Sequence, residues 1–445
     1  MTDARRSVAA HRASIWVDPA APCVGKRPWI FLPPLLLLLI SPAYGDYRVQ
    51  WHVDGTLQEQ YDDNIGLSST DPQADWITIL SPGGDLLVES KTGRLLFDYH
   101  LNANFYANNP VLNYLGHTAN LNVQQALWKH FTFRLRDSFI RSDAPREESV
   151  PDVAPDVPQA TEFLLGTRLQ RSPYMRNSFI PSLEYQYGKD DFLRLGYRNE
   201  LYVREVESSR DIRDTFNLGV DHWFGPQYGL LFTLDYLRTH FQTSSDFDGQ
   251  DATLIPKWRL DPLTTLFAQM EFSNRDFHDE TTNYRIYRAS LGVEHSFSPL
   301  ISGRLRGGYF FLVPVKGATD GGLVGELSVT ARWLHLQGSA YVRTGATESF
   351  LDAENLGFSK FWAFGAAGRY QATQRITLTL DASYNINEFP SGESRTTWQA
   401  RVGGSAILLK WLTGSVDLFH QEELPGEEGG GFKDNRITFR LTARY

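Results

Sequence analysis

The chain of 445 residues contains one cysteine, Cys23. It lies before the only long apolar run, so it is not the lipidated cysteine that follows a lipoprotein signal. Beyond that run there is no thiol, which excludes disulfides, thiolate metal sites and cysteine nucleophiles from the remainder. Long hydrophobic runs are also absent after the amino terminus. Mean hydropathy is −0.34 and 21% of residues are charged, which excludes a helical membrane protein. Helical spacing of apolar residues is nowhere sustained. No His-Glu-x-x-His, P-loop, Gly-x-Ser-x-Gly or zinc-ligand spacing occurs. Enzymatic function is therefore not expected, and no cofactor or metal is called for.

What the chain does have begins with Lys26-Arg27, an apolar run from Pro28 to Ile40, and Ser-Pro-Ala43-Tyr44-Gly45. A basic region, a short apolar stretch and small residues before Asp46 predict a secretory signal, cleaved after residue 45. Two regions follow: an N-terminal extension and signal over 1–45, and a single domain over 46–445. Residues 1–25 lack apolar periodicity and read as an over-long start. Removing 1–45 takes away five basic and two acidic residues, moving the formal charge from −9 to −12. Nothing in this balance points to nucleic acid.

The domain is a succession of alternating segments of about 10 to 15 residues, broken by Gly, Pro, Asp and Asn. Leu95, Phe97, Tyr99, Leu101, Ala103 and Phe105 alternate with polar residues. Ile376 to Ile386 does the same, and in Ile301 to Val313 the alternation places Arg304 and Arg306 on the opposite face. A period of two puts the two sets on opposite faces of a strand. The last ten residues repeat the pattern: Ile437, Phe439, Leu441, Ala443 and Tyr445 against Arg436, Thr438, Arg440, Thr442 and Arg444. Segments this long suit a tilted membrane-crossing strand better than a soluble sandwich. Tight links such as Trp128–Phe131, Leu260–Leu263 and Phe297–Leu300 alternate with long polar ones such as 62–75, 142–160 and 349–357. Short turns at one rim and long loops at the other characterise outer-membrane barrels.

The expected fold is all-β, a transmembrane antiparallel β-barrel of about 20 strands (18–22) in the bacterial outer membrane. Parity sets the count. With both termini at the short-turn rim the number is even, which assigns 161–172 to an outer loop. The first strand, Tyr47 to Tyr61, starts beside the cleavage site, so no plug is expected before it. Trp128, Trp223, Trp258, Trp333 and Trp411 lie near tight turns and read as a periplasmic aromatic girdle; Trp76, Trp362 and Trp398 read as the outer one. Phe439, Leu441 and the terminal Tyr445 are expected to serve as an assembly signal for the barrel-assembly machinery, within outer-membrane lipid and lipopolysaccharide.

Alternation turns Arg194, Arg198, Arg304, Arg306, Arg343, Arg401, Arg436, Arg440 and Arg444 inward, with Asp381 and Asp417. Charge rings select solutes in wide pores, and guanidinium suits carboxylate and phosphate. An Arg–Asp/Glu lattice that only props the barrel open is the plainer reading. His240 and His278-Asp279-Glu280 are the only histidines suggestive of an outer-rim hydrolase. The carboxylates of Asp246, Asp248 and Asp251 read as a solvated turn, since they lack EF-hand spacing. Arg141 to Gln159 either folds inward or covers the outer face.

Tyr61-Asp62-Asp63-Asn64-Ile65, then Ser81-Pro82-Gly83, with Arg171-Ser-Pro-Tyr174 later, resemble a group of mostly uncharacterised proteobacterial outer-membrane β-barrel proteins. Their genes often lie beside exopolysaccharide and exosortase genes. The motifs read as structural: Asp62–Asn64 as a turn, Pro82-Gly83 as a bend. The resemblance implies a porin-like channel tied to surface-polysaccharide export, with polysaccharide or small solutes as partners. A structural or adhesive barrel without an open pore, or an outer-membrane hydrolase, stands as the alternative.

Overall fold

In the computed structural model the described residues are 47–144, 173–205, 209–242, 244–278, 283–349, 357–424 and 430–445. The predicted signal, Cys23 and most of 142–175 lie outside them. Among the described residues twenty strands form one antiparallel sheet. In chain order they are β1 (Arg48–Asp62), β2 (Asp75–Glu89), β3 (Gly93–Tyr106), β4 (Tyr114–Trp128), β5 (Phe131–Ser142), β6 (Tyr174–Gln186) and β7 (Phe192–Arg204). Then come β8 (Ser209–Trp223), β9 (Tyr228–His240), β10 (Phe247–Asp261), β11 (Thr264–Phe277), β12 (Tyr284–Ser298), β13 (Ile301–Pro314) and β14 (Asp320–Arg332). β15 (Leu336–Ser349), β16 (Gly357–Gln371), β17 (Ile376–Glu388), β18 (Ser394–Leu409), β19 (Leu412–Leu424) and β20 (Phe432–Arg444) complete the set.

Each strand pairs with its sequence neighbours, and β1 also pairs with β20, from Asp54↔Arg444 to Asp62↔Arg436. Val53 and Tyr445 exchange two backbone bonds, of 3.1 and 2.9 Å. The sheet is a closed barrel, which removes the free strand edges that lipid cannot hydrate. Strand lengths run from 12 residues in β5 to 16 in β18, enough to cross a bilayer at a tilt.

One face carries exposed Leu305, Leu380, Phe439 and Leu441. The other face carries contacts that skip strands: Arg275 on β11 meets Glu348 on β15 at 2.6 Å. Only the interior of a closed barrel permits that, so the apolar face meets lipid and the charged face the lumen. Tyr445 is 90% exposed at the short-turn rim, with outward Trp128 and Trp411. Trp223 departs from expectation. It pairs with Gly229 on the inner face, with the Arg259 guanidinium 4.1 Å from its ring centroid, so it is not a girdle residue.

The inner face is also less uniformly polar than alternation predicts. Ile140, Tyr174, Tyr202, Phe241 and Phe247 form one buried cluster inside the outer rim; Ile286, Phe310, Val324 and Phe358 form another. These side chains cover one another instead of meeting water.

Ser81-Pro82-Gly83 is not a bend: β2 runs straight through it, opposite Gly55 and Asp54. Pairing with β3 lapses at Ser81 and Pro82, since proline has no N–H to give. Gly83 has a separate reason to be glycine. A Cβ there would lie 2.2 Å from the His100 ring, which passes over it to bond Asp54 at 2.9 Å.

Tyr61–Ile65 is more than a turn. The Asp62 carboxylate accepts the Asn64 N–H at 2.9 Å, and Asp63 accepts both the backbone and the side-chain amide of Asn435. The Asn64 side chain donates to the Ser68 and Lys433 carbonyls, each at 2.8 Å, and accepts the Ser68 N–H. The motif ties the end of β1 to the start of β20, clamping the closure seam. Asn64→Ala removes a buried amide and its three bonds, one of them across the seam, and is expected to cost about 1–3 kcal/mol. Denaturant midpoints in lipid vesicles would measure it; an unchanged midpoint would contradict the clamp.

Candidate functional site, the charged lumen

All the arginines and aspartates singled out by alternation share the inner face in the observed register. Arg194 and Arg198 lie on β7, Arg304 and Arg306 on β13, and Arg343 on β15. Asp381 lies on β17, opposite Arg401 on β18; Asp417 lies on β19; Arg436, Arg440 and Arg444 lie on β20.

The interior brings many of them onto carboxylates. Arg194 Nη2 donates to Glu184 at 2.6 Å, and Arg134 from β5 donates to the same carboxylate at 3.1 Å. Arg213 Nη2 lies 2.6 Å from Glu200. Arg304 and Arg306 both approach Glu326 at 3.7 Å, while Arg306 also reaches Glu271 and Arg304 reaches Glu294. Arg444 donates to Asp85 at 2.7 Å, and Arg440 donates to Gln58 beside Asp417. Arg401 and Arg436 both lie over the Phe419 ring, at 5.3 and 4.1 Å, and Arg343 lies over Tyr341 at 4.3 Å. Arg198 lines a recess of the lumen together with Arg213 and Asp235.

The two signs occupy different depths. In the Arg134–Glu184–Arg194 group the guanidinium side chains are 38% and 53% exposed and the carboxylate 9%. Arg444 over Asp85 and Arg213 over Glu200 repeat the order, with 59% over 15% and 25% over 8%. Here the carboxylates lie against the wall and the guanidiniums meet the lumen, so the wetted surface is cationic although the lattice is nearly neutral. From β10 to β14 the order is mixed. The Arg275 side chain is 6% exposed beneath Asp251 at 29%. Arg306 and Arg304, at 18% and 34%, lie beneath Glu271 and Glu294, at 23% and 50%, but over Glu326 at 15%.

Arg134, Arg136 and Arg213 are not singled out by the sequence; in Phe131–Ser142 the alternation is broken by Asp137 and Arg141 among the apolar positions and by Ile140 among the polar ones. Nor does the sequence single out the Arg275 hub. There Asp251 is held at 2.9 and 3.1 Å and Glu348 at 2.6 Å, with Tyr284 donating to Glu348 at 2.5 Å. No local signal pairs residues 73 positions apart.

The outer-rim histidines take part in loop closure. His240 Nδ1 and Asp246 Oδ2 are 2.8 Å apart, and Asp246 accepts the Phe241 N–H. Burial pushes the Asp246 carboxyl up, but these bonds outweigh it and hold the group below its usual range. His278 lies 3.8 Å from Asp248; Asp279 and Glu280 are outside the described residues. Asp246, Asp248 and Asp251 diverge into a loop, the outer face and the Arg275 hub, so they share no cation site. Asp62, Asp63 and Asp434 do gather, with one oxygen of each within 4.8 Å, beside Arg436 at 3.4 Å from Asp434.

No family model and no curated protein matches this chain. Solved structures do. A copper transporter, OprC, aligns over 89% of this chain and 80% of its own at 10% identity, TM-score 0.52. A ferric enterobactin receptor mutant from Pseudomonas aeruginosa aligns over 88% and 81% at 8% identity, TM-score 0.50. The outer membrane protein opdK from the same organism aligns over 89% and 99% at 11% identity, TM-score 0.43. At such identities the likeness is one of fold. The chain has the fold of an outer-membrane β-barrel.

Proposed function

We propose that this barrel is a porin-like outer-membrane channel for small hydrophilic anions, acidic sugars of surface-polysaccharide traffic among them. The observation that carries the reading is the layering of guanidinium over carboxylate on β5–β8 and at the β20–β2 seam. A carboxylate or phosphate passing down the lumen meets paired N–H donors first, while the wall carboxylates stay covered. The polysaccharide link rests on the sequence resemblance, and the non-catalytic reading is supported by the engagement of His240 in loop closure.

Reversal potentials across planar bilayers under a salt gradient test it. Wild-type channels are expected to favour chloride over potassium. Arg134→Gln with Arg194→Gln uncovers Glu184 and is expected to lower that preference severalfold. A folded barrel that conducts no ions, or one whose selectivity ignores the double substitution, would overturn the reading.

A further inference from the structure

The ladder between β14 and β15 is cut short. It runs from Arg332↔Gln337 to Gly325↔Thr344, while β14 stays paired with β13 up to Asp320. Gly345–Ser349 has left the edge of β14 but still pairs with Gly357–Phe361 of β16. Among the described residues, Asp320–Val324 therefore faces no strand partner on its β15 side.

The departed hairpin end goes inward. Alternation in the wall would turn Ala346, Glu348, Phe358 and Lys360 to lipid, yet each touches the inner wall. Ala346 and Phe358 pack on the buried Ile286, Phe310 and Val324. Glu348 meets Arg275 and Tyr284, and Arg288 donates to the Ala346 carbonyl. Lys360 Nζ donates to Asp320 Oδ1 at 2.7 Å. The back of the hairpin lies on β11–β14; on its other face Thr347 is exposed, while Ser359 is buried and Phe361 packs on Tyr341, Ala363 and Ala367.

We infer that the outer end of the β15–β16 hairpin is a latched strap that narrows this lumen and can swing back into the wall. The inference rests on the channel reading for its effect on current, but not for the movement itself. Two arrangements of the same segment compete. Inward, it buries the Phe310–Phe358 cluster and satisfies the hub carboxylate. Outward, it completes the ladder, and continuing the observed register would set Leu323 opposite Ala346 and Gly322 opposite Thr347. Both satisfy backbone or side-chain groups that the other leaves to water, which is the condition for a two-state element. Arg275 and Lys360 bias it inward.

The only cysteine in the sequence is Cys23, so engineered disulfides can report each position once it is replaced. Asp320→Cys with Lys360→Cys spans the inward contact; Leu323→Cys with Ala346→Cys spans the outward register. In native membranes the first pair is expected to cross-link quickly and the second slowly. Adding Glu348→Gln to the second pair is expected to raise its cross-linking at least tenfold. The same Glu348→Gln barrel in planar bilayers is expected to pass about twice the current, or to fluctuate between two levels. If Glu348→Gln leaves the second pair as slow as before, the strap is fixed and the inference fails. If cross-linking shifts while no variant conducts, the strap moves and the channel reading fails instead.

Discussion

Leu380→Arg is expected to lower barrel stability by about 2–4 kcal/mol, whereas Thr379→Arg, one residue away, changes it by less than about 1 kcal/mol. Leu380 lies on the lipid side of β17, 52% exposed, near the middle of the span. A guanidinium there enters hydrocarbon, and snorkelling from mid-span is incomplete. Thr379 faces the other way. It pairs with Arg369 and lies beside Asp417 across Gly403, so a cation at that position meets water and a carboxylate that offsets the like charge of Arg369. Reversible denaturant unfolding in lipid vesicles gives both values from the shift in midpoint at constant slope. Equal costs at the two positions would mean that the faces of the strand are not sorted between lipid and water.

The second large effect is expected at Arg275. Its side chain is 6% exposed and serves Asp251 and Glu348 together. Arg275→Ala leaves the Asp251 carboxylate of the wall and the Glu348 carboxylate of the inward hairpin without their cation, and removal of one partner from a buried charged group costs about 3–5 kcal/mol. Arg275→Lys keeps the charge but has one ammonium for two carboxylates, so an intermediate loss is expected. A surface pair such as Arg141–Glu205, with both side chains about one-third exposed, is expected to cost under about 1 kcal/mol when broken. The ordering of the three, Arg275→Ala first and Arg141→Ala last, is read in one unfolding series. An Arg275→Ala loss as small as that of Arg141→Ala would show that the hub is solvated.

Much of this was legible in the sequence because lipid and water on opposite sides of a strand impose a period of two. Leu95–Phe105, Ile376–Ile386 and Arg436–Tyr445 fix which side chains face in, and parity fixed an even count. At Trp223 closeness to a turn and strand phase point to opposite faces, and phase prevails. Trp223 lies two residues after inward-facing Asp221, and that spacing already places it inside. Other features are not local. Asn64 reaches Lys433 across 369 positions, and only the closure of β20 on β1 brings them together. Ile286, Phe310 and Phe358 look like lipid-facing residues by type. Their covering comes from a hairpin that leaves the wall, which no alternation within one strand records.

Single-cysteine substitution along β17, at Leu378, Thr379, Leu380, Asp381 and Ala382 in turn, most directly tests the claim that the charged face lines a water-filled lumen. The measurement is labelling of folded, membrane-embedded protein by a small membrane-impermeant maleimide. The expected result is labelling at positions 379 and 381 and protection at 378, 380 and 382. Protection at all five, or labelling with the opposite phase, would contradict it.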